Sequence, residues 1–278
     1  MKICRRFITK IHQRALHNIH LDEAQCSVDF GEGLISTDRK AEVKPMKTSA
    51  ENRIMKRRYA TSLATLASKQ EKRKEIVENG GIPVLIEFSL CLNDEIISMS
   101  SAAAFVFLSK EASILPKLAD DNSLVALIHL LQSSNVDIRK DVCRALCNLC
   151  LFDGFERKVV KEGIAALIPS IVKRNIDIIE VCLKILLNVS AVQERYPRLE
   201  DVTLALIELY HQYNRLEEKE FLLLQAFCNL SSLRGNHYHL VEEGFLNVIE
   251  KASRSSVKRC QIIASECLKN LTNCQRTR

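Results

Sequence analysis

Every 40 to 42 residues the chain returns to one five-residue phrase: apolar, variable, Asn in its fullest form, apolar, small. It reads Leu63-Ala64-Thr65-Leu66-Ala67, then Phe105-Val106-Phe107-Leu108-Ser109, then Leu146-Cys147-Asn148-Leu149-Cys150. Leu186-Leu187-Asn188-Val189-Ser190, Phe227-Cys228-Asn229-Leu230-Ser231 and Leu268-Lys269-Asn270-Leu271-Thr272 follow. Measured between Leu66, Leu108, Leu149, Val189, Leu230 and Leu271, the steps are 42, 41, 40, 41 and 41. A unit of this length cannot bury its apolar face alone, so a recurrence this regular predicts stacked helical modules sharing one continuous core.

From about residue 50 each unit predicts a short helix, a turn, a medium helix and a longer helix ending in the phrase. Asn79-Gly80-Gly81, Asp121-Asn122, Glu162-Gly163 and Glu243-Gly244 mark the turns, where the backbone needs positive φ. In the fourth unit Tyr196-Pro197-Arg198-Leu199-Glu200-Asp201 replaces the glycine turn, and Pro197 is expected to break the first helix there. Asn93-Asp94, Ser133-Ser134-Asn135, Arg174-Asn175 and Tyr213-Asn214 are candidate N-terminal caps for the long helices. Ahead of the repeats, residues 1–21 carry Lys2, Arg5, Arg6, Lys10 and Arg14 without an acid, and Ile3, Phe7, Ile8, Ile11, Ala15 and Ile19 share one helical face. A mitochondrial targeting segment, a membrane-surface helix and a helix packed back on the array all share this pattern. Residues 22–49 lack sustained periodicity and read as a flexible linker, leaving 50–278 as the repeat domain.

Charge restricts the partners. Residues 1–58 hold 13 Lys/Arg against 7 Asp/Glu, whereas 59–278 hold 27 of each. A neutral repeat region is not expected to bind nucleic acid. No uncharged apolar run approaches the ~18 residues of a membrane span. Eleven cysteines without a secretory signal indicate a reducing compartment. Cys143, Cys147 and Cys150 occupy positions that other repeats fill with small or apolar residues, so they read as packing rather than metal ligands. The seven histidines form no ligand or catalytic pattern. No catalytic residue, metal, cofactor or small-molecule ligand is expected.

The apolar-x-Gly-Gly/Gly-Ile-x-x-Leu start, clear in Glu78-Asn79-Gly80-Gly81-Ile82-Pro83-Val84-Leu85, and the Leu-x-Asn-Leu-Ser end resemble the armadillo repeat, over about residues 50–273. The resemblance implies an all-α fold, a right-handed superhelical armadillo-type solenoid of about five three-helix repeats behind an N-terminal capping helix. It also implies that the third helices line a concave groove for extended peptides, with the Asn of the phrase bonding the bound backbone. The nuclear-signal receptors of that family place Trp four residues before this Asn. Here those positions are Arg144, Lys184, Gln225 and Glu266, and the chain has no Trp, so an import-receptor role is not expected.

A helical wheel supports the groove independently. In the helix ending at Cys150, Ile138, Val142, Ala145, Leu146 and Leu149 form an apolar arc, and Asp137, Lys140, Asp141, Arg144 and Asn148 occupy the other side. Equivalent positions make Asn148, Asn188, Asn229, Asn270, Arg144, Lys184, Gln225, Lys140 and Phe107 the candidate partner-binding residues. Helices about 8–10 Å apart match about three residues of extended chain, so four Asn rungs would hold roughly eight to ten residues. Arg144 and Lys184 suggest acidic side chains in the partner, and Met99, Ala103 and Phe107 form an apolar strip. The competing reading is that each Asn bonds a neighbouring carbonyl and holds two repeats in register. The expected function is a scaffold or adaptor that binds an extended or helical segment of another protein, cytoplasmic and also compatible with the nucleus. The alternative is a mitochondrial structural subunit of a larger assembly, delivered by residues 1–21.

Overall fold

A computed structural model describes residues 49–91, 93–191 and 198–273. Among the described residues there are fifteen α-helices and three short 3-10 turns, with no strand. The leading helix is α1 (Ser49–Ser68). The first full repeat is α2 (Arg73–Glu78), α3 (Gly81–Ser89) and α4 (Glu95–Leu108). The second is α5 (Leu115–Leu118), α6 (Asp121–Leu130) and α7 (Val136–Leu149), and the third α8 (Phe155–Lys161), α9 (Ile164–Arg174) and α10 (Ile179–Ser190). The fourth shows α11 (Leu199–Tyr213) and α12 (Glu217–Ser232), and the fifth α13 (His237–Glu242), α14 (Phe245–Ser253) and α15 (Lys258–Asn273). Residues 1–48, with the basic segment and most of the linker, lie outside the described residues, as does the break expected at Pro197. No helix among the described residues is long and apolar enough to cross a membrane.

The phrase produces the core because its first and fourth residues lie three apart on a helix and so face the same way. Phe105, Leu108, Leu146, Leu149, Leu186, Val189, Phe227 and Leu230 are buried. Leu268, in the last described helix, departs from this with 40% exposure. The chain forms two compact units, one ending at Ala145 and one beginning at Leu146. In the first, α1 packs along α4, and α3 packs on α4 and α6; Ala60, Phe88 and Ile97 meet there with Tyr59, Val84 and Cys91 around them. In the second, α12 lies between α10 and α15, while α11 packs on α9 and α12. The Phe227 and Phe245 rings stack at 4.8 Å in that core.

Three of the four proposed capping sites act as caps, Asn175 not on α10 itself but on the 3-10 turn Ile176–Ile178 that leads into it. Asp94 accepts from the Ile97 N–H, Asn135 from Asp137 and Ile138, and Asn175 from Asp177. Asn214 does not: Leu216 precedes α12 without a side-chain cap. Asp121-Asn122 is not a turn either but the first turn of α6, capped by Asp120 through the Ser123 N–H. An Asp run offers several helix starts, and the one whose carboxylate reaches the N3 amide wins.

Gly80, Gly163 and Gly244 enter α3, α9 and α14 at φ of 75°, 71° and 95°. Where the fourth repeat lacks glycine, Arg198 takes the same left-handed conformation at φ 68° before α11. That conformation strains an L-residue, and the Arg198–Asp201 ion pair at 2.8 Å helps hold it. The Arg198 guanidinium also occupies the space where a side chain on Gly163 would go. Gly163→Ala is therefore expected to destabilise the protein by about 1 kcal/mol or more, read as a lower denaturation midpoint. An unchanged midpoint would show that the loop relaxes.

Candidate functional site

The third helices α10, α12 and α15 lie side by side in the second unit and carry Asn188, Asn229 and Asn270 at one register position. All three side chains are half-buried, as is Asn148 at the end of α7. Each amide nitrogen points back to the preceding repeat. Asn229 Nδ2 donates to Ser190 Oγ at 3.1 Å, and Asn270 Nδ2 donates to Ser231 Oγ at 3.1 Å and to the Cys228 carbonyl at 3.5 Å. Ser190 and Ser231 in turn donate to the Leu187 and Cys228 carbonyls. The small fifth residue of the phrase is thus a relay between one repeat's Asn and the previous repeat's backbone. Where that residue is Cys150, a poor acceptor, Asn188 Nδ2 bonds the Cys147 carbonyl directly at 3.3 Å.

An amide side chain has both a donor and an acceptor. Here the donors hold the repeats in register, while the Oδ1 atoms of Asn188, Asn229 and Asn270 accept no bond among the described residues. The register role therefore uses one end of each group and leaves the other end unbonded among the described residues. The serine relay was missed in the sequence. Its signal was the hydroxyl that recurs as Ser109, Ser190, Ser231 and Thr272 beside every phrase after the first but one.

Comparisons with known proteins fit this geometry. Residues 116–151 match the model of the armadillo/beta-catenin-like repeat. The described array has the armadillo fold. It is similar to a designed armadillo repeat protein, YIII(Dq)4CqI, at 18% identity and TM-score 0.63, covering 82% of this chain and 96% of that one. Computationally designed armadillo repeat proteins for modular peptide recognition match at 18% identity and TM-score 0.65, over 81% and 95%. A third designed armadillo protein, YIII(Dq.V1)4CPAF, in complex with the peptide (KR)4, matches at 18% and TM-score 0.62, over 86% and 97%. A search of curated protein sequences finds no match.

On the armadillo helices two of the candidate cations, Lys184 and Arg144, are already engaged. Lys184 Nζ lies 2.7 Å from Glu180 Oε1, a hydrogen bond that raises the lysine pKa and lowers the Glu180 carboxyl below its ordinary value. Arg144 meets Asp141 at 3.1 Å. Arg259 meets Glu218 at 2.6 Å and Glu217 at 3.2 Å, and its guanidinium covers the Phe221 ring at 4.4 Å. Glu266 pairs with Lys269. Lys140 and Gln225 are half-buried. In the first armadillo unit Phe107 is half-buried beneath Lys110 Nζ at 5.2 Å, and Met99 is 47% exposed.

A cleft of about 570 Å³ opens elsewhere in the second unit, beside Tyr210, Glu220, Lys251 and Ser255. The buried Glu220 carboxylate accepts from Tyr210 Oη at 3.1 Å and Ser255 Oγ at 2.8 Å. Burial first, then the Glu220 charge, pushes the Tyr210 phenol well above its ordinary value. The cluster ties α11, α12 and the loop before α15 together. It is a structural latch.

Proposed function

We propose that this chain is a non-enzymatic protein-binding scaffold, and that α10, α12 and α15 hold a segment of a partner protein through the Asn188, Asn229 and Asn270 rungs. One observation carries the reading: three amides anchored by their nitrogens present three oxygens at a regular helical step, without partners among the described residues. A backbone N–H of any sequence can donate to them, so the rungs grip without selecting, and selection falls to Lys184, Gln225 and Glu266. The neighbouring ion pairs do not prevent this. Exposed pairs contribute only ~0.2–1 kcal/mol, so an acidic side chain of the partner can replace Glu180 at Lys184, and Asp141 at Arg144, at small cost. Cytoplasmic residence suits this role; import by residues 1–21 is the competing proposal, which a mature N-terminus near residues 20–50 would support.

The test separates the two ends of the amide. Linear peptides selected from a random display library are titrated against the full chain, Asn229→Ala and Ser190→Ala. Both substitutions remove the inward bond, and only the first removes the outward oxygen. Asn229→Ala is expected to weaken peptide binding by about tenfold, or about 1.4 kcal/mol, with Ser190→Ala close to the unaltered protein. Equal affinities for all three proteins, or equal losses in both variants, would remove the rungs from the mechanism.

A further inference from the structure

Four large apolar side chains stand open to solvent at the helix starts of the first unit: Ile54 of α1, Ile96 and Met99 of α4, and Val136 of α7, each between 41% and 51% exposed. Ile54 and Ile96 hold one register position on neighbouring helices, twelve residues before Leu66 and Leu108. Polar contacts fix these helix starts against one another. Arg53 and Arg57 of α1 reach Asp94 before α4, and Thr61 Oγ1 lies 3.4 Å from Ser100 Oγ. Asn135, the cap of α7, donates to Glu95 and lies 4.0 Å from Met99 Sδ. Further along α4 the open face continues as Ser100, Ala103 and Phe107, all partly exposed. From Ile96 to Phe107 that face carries neither charge nor amide, whereas its equivalent on α7 is Asp137, Lys140, Asp141, Arg144 and Asn148. A contiguous apolar strip of this kind is a contact surface. With Phe107 at the rung position, it takes apolar side chains rather than a peptide backbone.

Charge and chain length say what covers it. The α1 border of the strip is basic: Arg53 and Arg57 share the single Asp94 carboxylate, and Arg58 is exposed with no ion pair among the described residues. Two stretches of chain precede α1, and they differ in charge. Residues 1–21 carry five Lys/Arg and no acid, so the arginines of α1 repel them. Residues 22–38 carry Asp22, Glu23, Asp29, Glu32 and Asp38 with no Lys or Arg, and Val28, Phe30, Leu34 and Ile35 lie among these acids. Thirteen residues (36–48) join Ile35 to Ser49. As a flexible chain they span roughly 20 Å. Ile54 is about 7.5 Å along α1 from Ser49, and α4 is about 8–10 Å across from α1, so the strip is within reach. A tether this short keeps the segment at an effective concentration in the millimolar range, and a weak apolar contact is then enough to fill the strip.

We propose that the acidic, apolar stretch at residues 28–35 docks on the strip formed by Ile54, Ile96 and Met99 in the same chain, with Asp29 and Glu32 against the arginines of α1. The contact involves the first unit and none of the asparagine rungs. A partner that uses this strip has to displace the chain's own segment, so the stretch sets the threshold for binding there.

The test places the photo-crosslinking residue p-benzoylphenylalanine at Met99 of the full chain, irradiates the dilute protein and maps the adducts by mass spectrometry. The expected product is a link within one chain from position 99 to residues 28–35. The double substitution Asp29→Lys with Glu32→Lys is expected to cut its yield by about tenfold, since like charges then face each other, and Arg58→Glu in that background to restore part of it. Raised salt lowers the yield in the unaltered chain. The same probe at Lys117, exposed on α5, is expected to leave residues 28–35 unlinked. Circular dichroism checks that each protein is folded, and the probe at Ile96 serves if Met99 does not tolerate it. No adduct, an adduct between two chains or to residues 1–21, equal linking from Lys117, or full yield in the double variant would each overturn the proposal.

Discussion

Phe227→Ala is expected to lower the unfolding free energy by about 3–5 kcal/mol, the range for deleting a buried aromatic ring. Phe227 is fully buried, and its ring stacks on Phe245 at 26° between planes. Truncation therefore removes the ring's own transfer energy and strips the partner of its contact face. In an array where each repeat depends on its neighbours, the loss should be local first. Amide exchange in α12, α14 and α15 should accelerate well before exchange in α1 and α3. A denaturation midpoint that falls at unchanged slope would confirm a pure stability effect. A fall below about 1 kcal/mol would mean that the core repacks around the gap.

Asp94→Asn is expected to cost about 1–3 kcal/mol at neutral pH, as the loss of charged hydrogen bonds at a buried site. Asp94 is 6% exposed, and its Oδ2 lies 2.8 Å from Nε of both Arg53 and Arg57. Burial raises the carboxyl pKa, but the Arg53 and Arg57 hydrogen bonds and the Ile97 N–H outweigh it, and the net direction is down. A carboxyl lowered on folding contributes stability that is complete above its unfolded pKa of about 3.9. That contribution disappears as pH falls through the lower folded value. The gap between wild type and Asp94→Asn should therefore be constant from pH 7 to about pH 5 and close in stronger acid. A gap that persists unchanged in acid would assign the effect to packing.

The repeat period, the burial pattern of the phrase and three of the helix caps were legible because they depend on neighbours close in sequence. A helix buries residues i and i+3 together, and an Asp or Asn just before it reaches the first free amides. The glycine entries were legible for the same reason, and Arg198 was not. Nothing local marks an arginine for φ 68° until the Asp201 carboxylate and the space beside Gly163 are seen to accept it. The candidate site divides in the same way. The register of Asn188, Asn229 and Asn270 followed from the period; the direction of each amide did not, since it depends on Ser190, Ser231 and the Cys147 carbonyl about forty residues earlier. The cations differ again. Lys184 with Glu180 and Arg144 with Asp141 are pairs one helical turn apart, so their spacing is visible in the sequence, whereas the sequence reading gave these cations to a partner's acids.

Order along the chain was therefore enough to specify helices, their inward faces and the repeating unit, because those follow from backbone geometry and from water's exclusion of apolar side chains. Assembly settled which end of each asparagine remains open and that Asp94 joins two arginines from another helix. Each of these contacts links residues some forty positions apart. Hydrogen bonds and charge pairs act over a few ångströms, and only the stacking of one repeat on the next brings such groups within that range.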